Sequence, residues 1–259
     1  MSTGIKGQKG GRKSPSFINA VYAFYPEQFW DGRAKTLEEQ AKGPIANPIE
    51  MGNTHDACCA TIGGVKGYAP FFKKAFGDEA VSIDRIAEAI AHYERTRISG
   101  NSPYDQWKRQ KEKGAGDTTG LKVGEELFNG KAKCVTCHVG NAFTDSRFHN
   151  LGIGWDEATK TFKDEGRGKI SGKKEETGAF KTPGLRDTAL HAPYMHDGSL
   201  GTLEDVVEHY DKGGTPNPYL DAKMEKLNLT ADEKTALVGF MKALTGEGYQ
   251  DEEPKAFPQ

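Results

Sequence analysis

No stretch of this chain approaches the ~18–20 consecutive apolar residues that cross a bilayer, so no membrane-spanning helix is expected. Surplus basic charge is also lacking. The 35 Lys and Arg are matched by 37 Asp and Glu, a net charge of -2, and a protein that grips a nucleic-acid backbone needs excess cations to displace counterions. Nucleic acid is therefore excluded as a partner. Cysteine is scarce: four among 259 residues cannot make a disulfide scaffold of this size. Alternating strand patterns are weak throughout, and no internal repeat stands out. Lys6, Lys9, Arg12 and Lys13 give a basic start, but the apolar core of about 7–15 residues that marks a secretory leader does not follow. Residues 1–16 read instead as a solvated, glycine-rich loop. Glycine is abundant, 32 residues in all, against the roughly 7% of ordinary proteins. That excess predicts a loop-rich fold that leans on a cofactor for cohesion.

The apolar patterning is helical. Residues 17–29 are apolar and aromatic, interrupted by Pro26. Residues 36–41 predict a short helical turn with Glu38 and Glu39 near its start, followed by turn signals at Gly43-Pro44 and Asn47-Pro48. Ser82 is an N-cap before Ile83, Ile86, Ala87, Ile90 and Ala91, which share one helical face to about residue 97. A second helix is expected over 104–113, then a linker at Gly114-Ala115-Gly116-Asp117. Further helices are expected over 121–128 and 202–210. The last helix opens with a Thr230/Glu233 capping box and presents Ala236, Leu237, Phe240, Met241 and Leu244 on one face. Residues 152–182 lack periodicity and read as a long functional loop. The tail from Gly246 is acidic and expected to fray. The fold expected is mainly α.

Cys134-Val135-Thr136-Cys137-His138 is a CxxCH, the pattern of covalent c-type haem attachment. Two thiols add across the two vinyl groups of one haem, and the following imidazole turns onto the iron from the same side. Zinc would require a second Cys/His pair at ligand spacing, and a redox CxxC a βαβ context; the sequence supplies neither. Candidates for the ligand opposite His138 are Met195, His196, His209, Tyr210, Met224 and Met241. Met241 sits on the apolar face of the last helix and reads as core; the residues alone do not choose among the others. Cys58 and Cys59 are adjacent with no His after them, and read as buried free thiols rather than ligands or a vicinal disulfide.

Several segments together resemble the bacterial di-haem cytochrome c peroxidases. They are Gln28-Phe29-Trp30-Asp31-Gly32-Arg33-Ala34, Glu39-Gln40-Ala41-Lys42-Gly43-Pro44, Glu50-Met51, Lys181-Thr182-Pro183-Gly184-Leu185-Arg186 and Ala192-Pro193-Tyr194-Met195-His196-Asp197-Gly198. The resemblance runs from about residue 10 to residue 246. It implies two cytochrome c-like domains with long irregular loops: a peroxidatic-type domain over 1–115, incomplete at its N-terminus, and a cytochrome c domain over 116–247, before an acidic tail at 248–259. It implies Trp30 between two haems, Gln40 and Glu50 lining a peroxide pocket, and Pro44 on the pocket wall. The chemistry agrees. Splitting O–O requires moving a proton from the near oxygen to the far one, which a desolvated carboxylate can do and an amide cannot. Read by type alone, Glu50 is more often a loop carboxylate and Trp30 a core residue; the matched spacing reverses that.

Two departures from the family pattern stand out. No CxxCH precedes the Trp30 segment, so the chain is expected to be a truncated member whose first haem lacks its anchor here, its leader removed or its N-terminus incomplete. Where many members use a methionine on the electron-transfer haem, this chain has Tyr210, similar to the tyrosine-ligated MauG-type branch. A phenolate stabilises oxidised iron and lowers its potential. No His occurs before His55, so a distal His on the peroxidatic haem is not expected. The resemblance further implies a calcium ion held by Asn19 and the carbonyls of His191 and Pro193. It also implies hydrogen peroxide as substrate, a small donor protein such as a cytochrome c or cupredoxin, a periplasmic location and a homodimer. Two other functions fit the same residues: a mono-haem electron carrier, since one CxxCH is present, and a MauG-like oxidant of protein side chains. Against the latter, Ala132 stands where MauG has the tryptophan through which it reaches its partner.

Overall fold

The computed structural model describes residues 2–22, 26–114, 117, 120–250, 256 and 258–259. Ala115 and Gly116 of the expected linker, residues 23–25 of the aromatic segment and residues 251–255 and 257 of the tail lie outside the described residues.

The mainly helical expectation holds, and the chain builds two helical groups. In the first, α1 (Leu37–Ala46) opens under Thr36, whose side chain accepts the Glu39 N–H at 3.1 Å. It buries Leu37, Ala41 and Ile45, one helical repeat apart. Against it lies α4 (Ile83–Thr96), capped by Ser82, with Ala87 and Ala91 fully buried. Alanines at the crossing let the two backbones approach closely, and Arg95–Glu38 at 2.7 Å closes one end. The turn expected at Gly43-Pro44 is a correction: both residues lie inside α1. Proline there gives up its hydrogen bond to the Gln40 carbonyl and crowds it, a cost offset by the burial of Ala41 and Ile45. The helix stops where the second signal stands, at Asn47, whose extended backbone is what a following proline demands. Two further helices, α2 (His55–Gly64) and α3 (Ala69–Phe76), complete this half. Neither shows a long apolar period. Cys58 and Cys59 sit on α2 as free thiols, half-buried rather than buried as expected.

The second group is built from α6 (Leu121–Asn129), α8 (Leu203–Asp211) and α9 (Ala231–Lys242). The capping boxes of Thr202/Asp205 and Thr230/Glu233 both form. Leu127, Phe128, Phe143, Val207, Leu237, Phe240 and Leu244 make one core, which Met241 joins as expected. Gly124 is required where α6 crosses α9, because a Cβ there would lie 2.6 Å from the Phe240 Cβ and 2.7 Å from the Ala236 carbonyl oxygen. Although it precedes the linker, α5 (Pro103–Glu112) packs on this second core. The Tyr104 N–H donates to the Ala243 carbonyl at 3.0 Å, and its ring meets Phe240 edge-on at 5.1 Å.

The long loop expected over 152–182 is also corrected. It is broken into short elements: β1 (Phe148–Asn150) pairs antiparallel with β4 (Ala179–Lys181), β2 (Trp155–Asp156) with β3 (Thr161–Phe162), and α7 (Arg167–Ser171) lies between. Strands of two or three residues are too short for alternation to register in a sequence. β4 is buried along its length and reaches the first half, where the Lys181 N–H donates to the Trp30 carbonyl at 2.8 Å. Among the described residues, no helix is long and apolar enough to cross a membrane.

Candidate functional site

The segment after α6 turns tightly. Lys133 takes a positive φ of 54°, Cys134–Thr136 form a single 3₁₀ turn, and the His138 N–H donates to the Cys134 carbonyl at 2.9 Å. This winding carries Cys134, Cys137 and His138 into the wall of one cavity. Its empty volume, open mouth included, is about 1490 Å³. Of the candidates for the opposite ligand, Met195, His196, Tyr210, Met224 and Met241 line the same cavity. His209 directs its Nε2 to the Leu151 carbonyl at 2.9 Å. The His196 ring is stacked flat on Phe180 at 3.5 Å.

The electrostatics suit a haem. Burial pushes the His138 imidazole below its ordinary range, against the pull of the Phe143 carbonyl and Asp145. Its Nδ1–H donates to the Phe143 carbonyl oxygen at 2.8 Å. That bond leaves the Nε2 lone pair for a metal and makes it more basic. Burial pushes the Cys134 thiol up to about 12. The Tyr210 phenol is raised further, first by burial and then by the nearby Cys137 and Cys134. Two free thiols, an imidazole with one nitrogen held in reserve, a phenol and an apolar wall fit haem c.

The N-terminal half supplies one wall of the cavity through Trp30, which is 9% exposed. Its indole N–H donates to the Lys13 carbonyl at 2.7 Å, and the Lys13 N–H donates to the His196 carbonyl at 2.7 Å. Arg12 bridges Asp31, at 2.6 Å, and Asp164, at 2.6 Å. The end of the expected solvated loop is thus docked, because a guanidinium between two carboxylates fixes the segment next to Trp30. Gln40 and Pro44 stand one turn apart on α1, and Glu50 lies on the turn that follows. That turn folds back on the helix: the Met51 N–H donates to the Pro44 carbonyl at 3.2 Å and the Glu50 N–H to the Asn47 carbonyl at 3.0 Å. These three residues group together in sequence and structure, but they do not line the cavity of Cys134. The Asn19 amide exchanges hydrogen bonds with the Ser99 backbone, its Oδ1 accepting at 2.9 Å. His191 Nε2 lies 3.2 Å from the Ser14 carbonyl.

Sequence reasoning missed a charged clamp at the cavity. His149, on β1, has Nδ1 2.5 Å from Asp221 Oδ2 and Nε2 2.9 Å from Asp145 Oδ2. A neutral imidazole donates through one nitrogen only, so two carboxylate partners require the imidazolium. Burial opposes that charge, yet Cys137, Asp221 and Asp145 outweigh it and push the ring up to about 9. Cys137, Asp145 and His149 could converge on a metal ion, but a thiol consumed by haem attachment is lost to such a site, and the two carboxylates still hold the imidazolium. Lys223 joins the clamp, donating to the Thr136 carbonyl at 2.8 Å. No spacing rule links residues 149 and 221. Since the folded pKa is raised above the ordinary 6.5, the clamp's stabilisation is complete below that pH and lost as pH rises through about 9. Accordingly, in the haem-free chain, whose Cys137 thiol is intact, the stability advantage of wild type over His149→Gln is expected to be steady below pH 6.5 and to shrink by on the order of 2 kcal/mol by pH 9. Chemical denaturation across that range checks it, and a flat difference contradicts the charged clamp.

Known proteins resemble this chain over most of its length. A family model described as di-haem cytochrome c peroxidase matches residues 1–113. The methylamine utilization protein MauG of Methylorubrum extorquens is 39% identical over 239 residues, covering 91% of this chain and 65% of its own. The cytochrome c551 peroxidase of Nitrosomonas europaea is 38% identical over 250 residues, covering 95% and 69%. The chain spans about two thirds of the length of these relatives. A solved MauG-like protein associated with microbial copper homeostasis superposes with a TM-score of 0.84 at 31% identity, over 95% of this chain and 79% of that one.

Proposed function

The chain belongs to the di-haem cytochrome c peroxidase family, and on that premise we propose that it works as a peroxide-reducing oxidoreductase fed with electrons through the Cys134–His138 haem site. One observation carries the reading: Cys134, Cys137, His138, Tyr210 and Trp30, which the sequence scatters over 180 positions, line one cavity. Haem c bound there supplies an iron that takes up and releases single electrons. Cys134 and Cys137 would hold it by thioether bonds. His138 Nε2, oriented by the Phe143 carbonyl, would ligate its iron, and Tyr210 would supply a second ligand. Trp30 spans from the cavity to the α1 half and is assigned to carry electrons between them. There Gln40 orients peroxide, Pro44 shapes the pocket wall, and Glu50 takes the proton from the near oxygen and returns it to the far one.

The finer assignments follow the same reading. Residues 1–115 are assigned to the peroxidatic-type domain, 116–247 to the cytochrome c domain and 248–259 to a tail. The donor is a small redox protein such as a cytochrome c or cupredoxin, the location periplasmic and the assembly a homodimer. A calcium ion is assigned to Asn19 and the His191 and Pro193 carbonyls. One Oδ1 lone pair of Asn19 is engaged by Ser99, and the other remains for a cation.

The test is peroxide itself. Haem-loaded protein is expected to change its visible spectrum on addition of stoichiometric peroxide. One haem per chain with no spectral response would instead support a mono-haem carrier.

A further inference from the structure

His138 borders a second, polar cavity, whose walls include Phe143, Tyr104, Glu125 and Arg186. Tyr104 is a half-buried phenol that the reading above leaves without a task. Its hydroxyl donates to Glu125 Oε1 at 2.9 Å. Glu125 is 8% exposed, and its two oxygens also accept from Lys108 Nζ and Lys111 Nζ, each at 3.2 Å. The Tyr104 ring meets the Phe143 ring edge-on, centroids 5.8 Å apart. The Phe143 carbonyl is in turn the acceptor for His138 Nδ1. One ring contact and one hydrogen bond therefore connect the phenol to the imidazole that faces the haem-binding cavity.

We propose that Tyr104 is a redox-active tyrosine that gives an electron to peroxide reduction across the adjoining cavity and so stores one oxidising equivalent, with Glu125 as its proton acceptor. The proposal rests on the peroxidase reading, which supplies hydrogen peroxide as the oxidant. Reduction of one peroxide to two waters takes two electrons and two protons. When donor protein is not docked, Tyr104 supplies one of those electrons by way of Phe143, His138 and Trp30, the bound haem would supply the other, and the two protons consumed come from solvent. Its O–H bond breaks, and the proton moves along the 2.9 Å hydrogen bond to Glu125. A neutral phenoxyl radical and a neutral carboxylic acid result. An electron from the donor later reverses both transfers.

Three features favour this residue. First, the acceptor is ready. Burial works against its charge, but Tyr104, Lys111 and Lys108 hold the Glu125 carboxyl below its usual range. An oxidised phenol is a far stronger acid than any carboxylic acid, so even a lysine-paired carboxylate takes its proton. Second, the intact phenol keeps that proton: burial, and then Glu125, push it up well beyond the ordinary tyrosine range. Electron loss and proton loss are therefore coupled. Third, the neighbours compete poorly. Trp107 stacks 5.9 Å from Tyr104, but the Lys111 ammonium lies 4.8 Å from its ring centre and penalises a tryptophan cation. Tyr194 donates to the Thr188 carbonyl, which cannot keep a proton.

The experiment uses haem-loaded protein with ring-deuterated tyrosine, mixed with peroxide without donor, freeze-quenched and read by EPR. In a parallel arm, the same protein is photo-oxidised by a ruthenium polypyridyl, with no peroxide present. A tyrosyl signal that narrows on deuteration is expected in both arms, absent from Tyr104→Phe and formed more slowly in Glu125→Gln. A signal of equal yield in Tyr104→Phe overturns the proposal. So does the lack of any tyrosyl signal in wild type when peroxide alters the haem spectrum. If peroxide leaves that spectrum unchanged, the peroxidase reading fails. The photo-oxidation arm then decides Tyr104 alone: a signal lost in Tyr104→Phe upholds its redox role, and no signal ends it.

Discussion

Substituting Glu50→Gln in the haem-loaded, full-length protein is expected to lower peroxide turnover by about 10²–10⁴-fold, the usual worth of a positioned acid–base group. Glutamine keeps the shape and hydrogen-bonding reach of the side chain and removes only its ability to trade a proton. The loss should therefore fall on kcat, with haem content and visible spectrum unchanged. The backbone makes this substitution clean. Glu50 sits on a turn whose N–H groups bond back to Asn47 and, through Met51, to Pro44, so its place relative to Gln40 does not depend on the carboxylate. Gln40→Ala is a useful contrast. An orienting amide contributes to binding and alignment, and its loss is expected to raise KM and to leave the pH profile alone. Equal turnover of wild type and Glu50→Gln, measured with a chemically reduced donor, contradicts the assigned role.

Tyr210→Met carries the second large effect. The variant is expected to raise the potential of the Cys134–His138 haem by on the order of a few hundred mV, within the roughly 0.8 V that axial ligands span. Phenolate is a hard anion that favours oxidised iron, whereas thioether sulfur favours reduced iron. Burial and the two thiols hold the Tyr210 proton tightly, so a cation in the cavity is needed to remove it. Attachment of haem converts both thiols into neutral thioethers and brings that cation. The phenolate state thus belongs to the loaded protein. Potentiometric titration followed by visible absorbance measures the shift. An unchanged potential and spectrum would assign the position to another residue of the same wall, of which Met195, Met224 and His196 are the candidates.

How far the sequence spoke for the structure depended on the length over which each signal is written. The last helix is fully legible, because Thr230, Glu233 and five apolar residues repeat one message over 15 positions and the structure realises every part. α4 was read for the same reason. α1 was read too short, since Gly43-Pro44 is a turn signal that tertiary packing of Ile45 and Ala41 overrides. α2 offers no stripe, and α3 is only eight residues long, too short for its Phe72/Phe76 pair to stand out. The CxxCH is legible because its chemistry is local: five residues suffice for two thiols and an imidazole. The His149 clamp is not, since its carboxylates come from Asp145 and from Asp221, a separation no pattern encodes. Tyr104 lies between these cases. Its helix was foreseen, but its partner Glu125 belongs to another helix, and only folding makes them a pair. Trp30 shows the gain from the fold, as spacing alone could not tell a core tryptophan from one on a cavity wall.

The account stands on one covalent event, the joining of haem to Cys134 and Cys137. Intact-protein mass spectrometry of the chain secreted by a host with cytochrome c maturation machinery tests it directly. The account predicts a species heavier by one haem mass that resists acid–acetone extraction, and its disappearance in the Cys134→Ala, Cys137→Ala double variant. An unmodified mass for the wild-type chain, with colour absent or extractable, would contradict it.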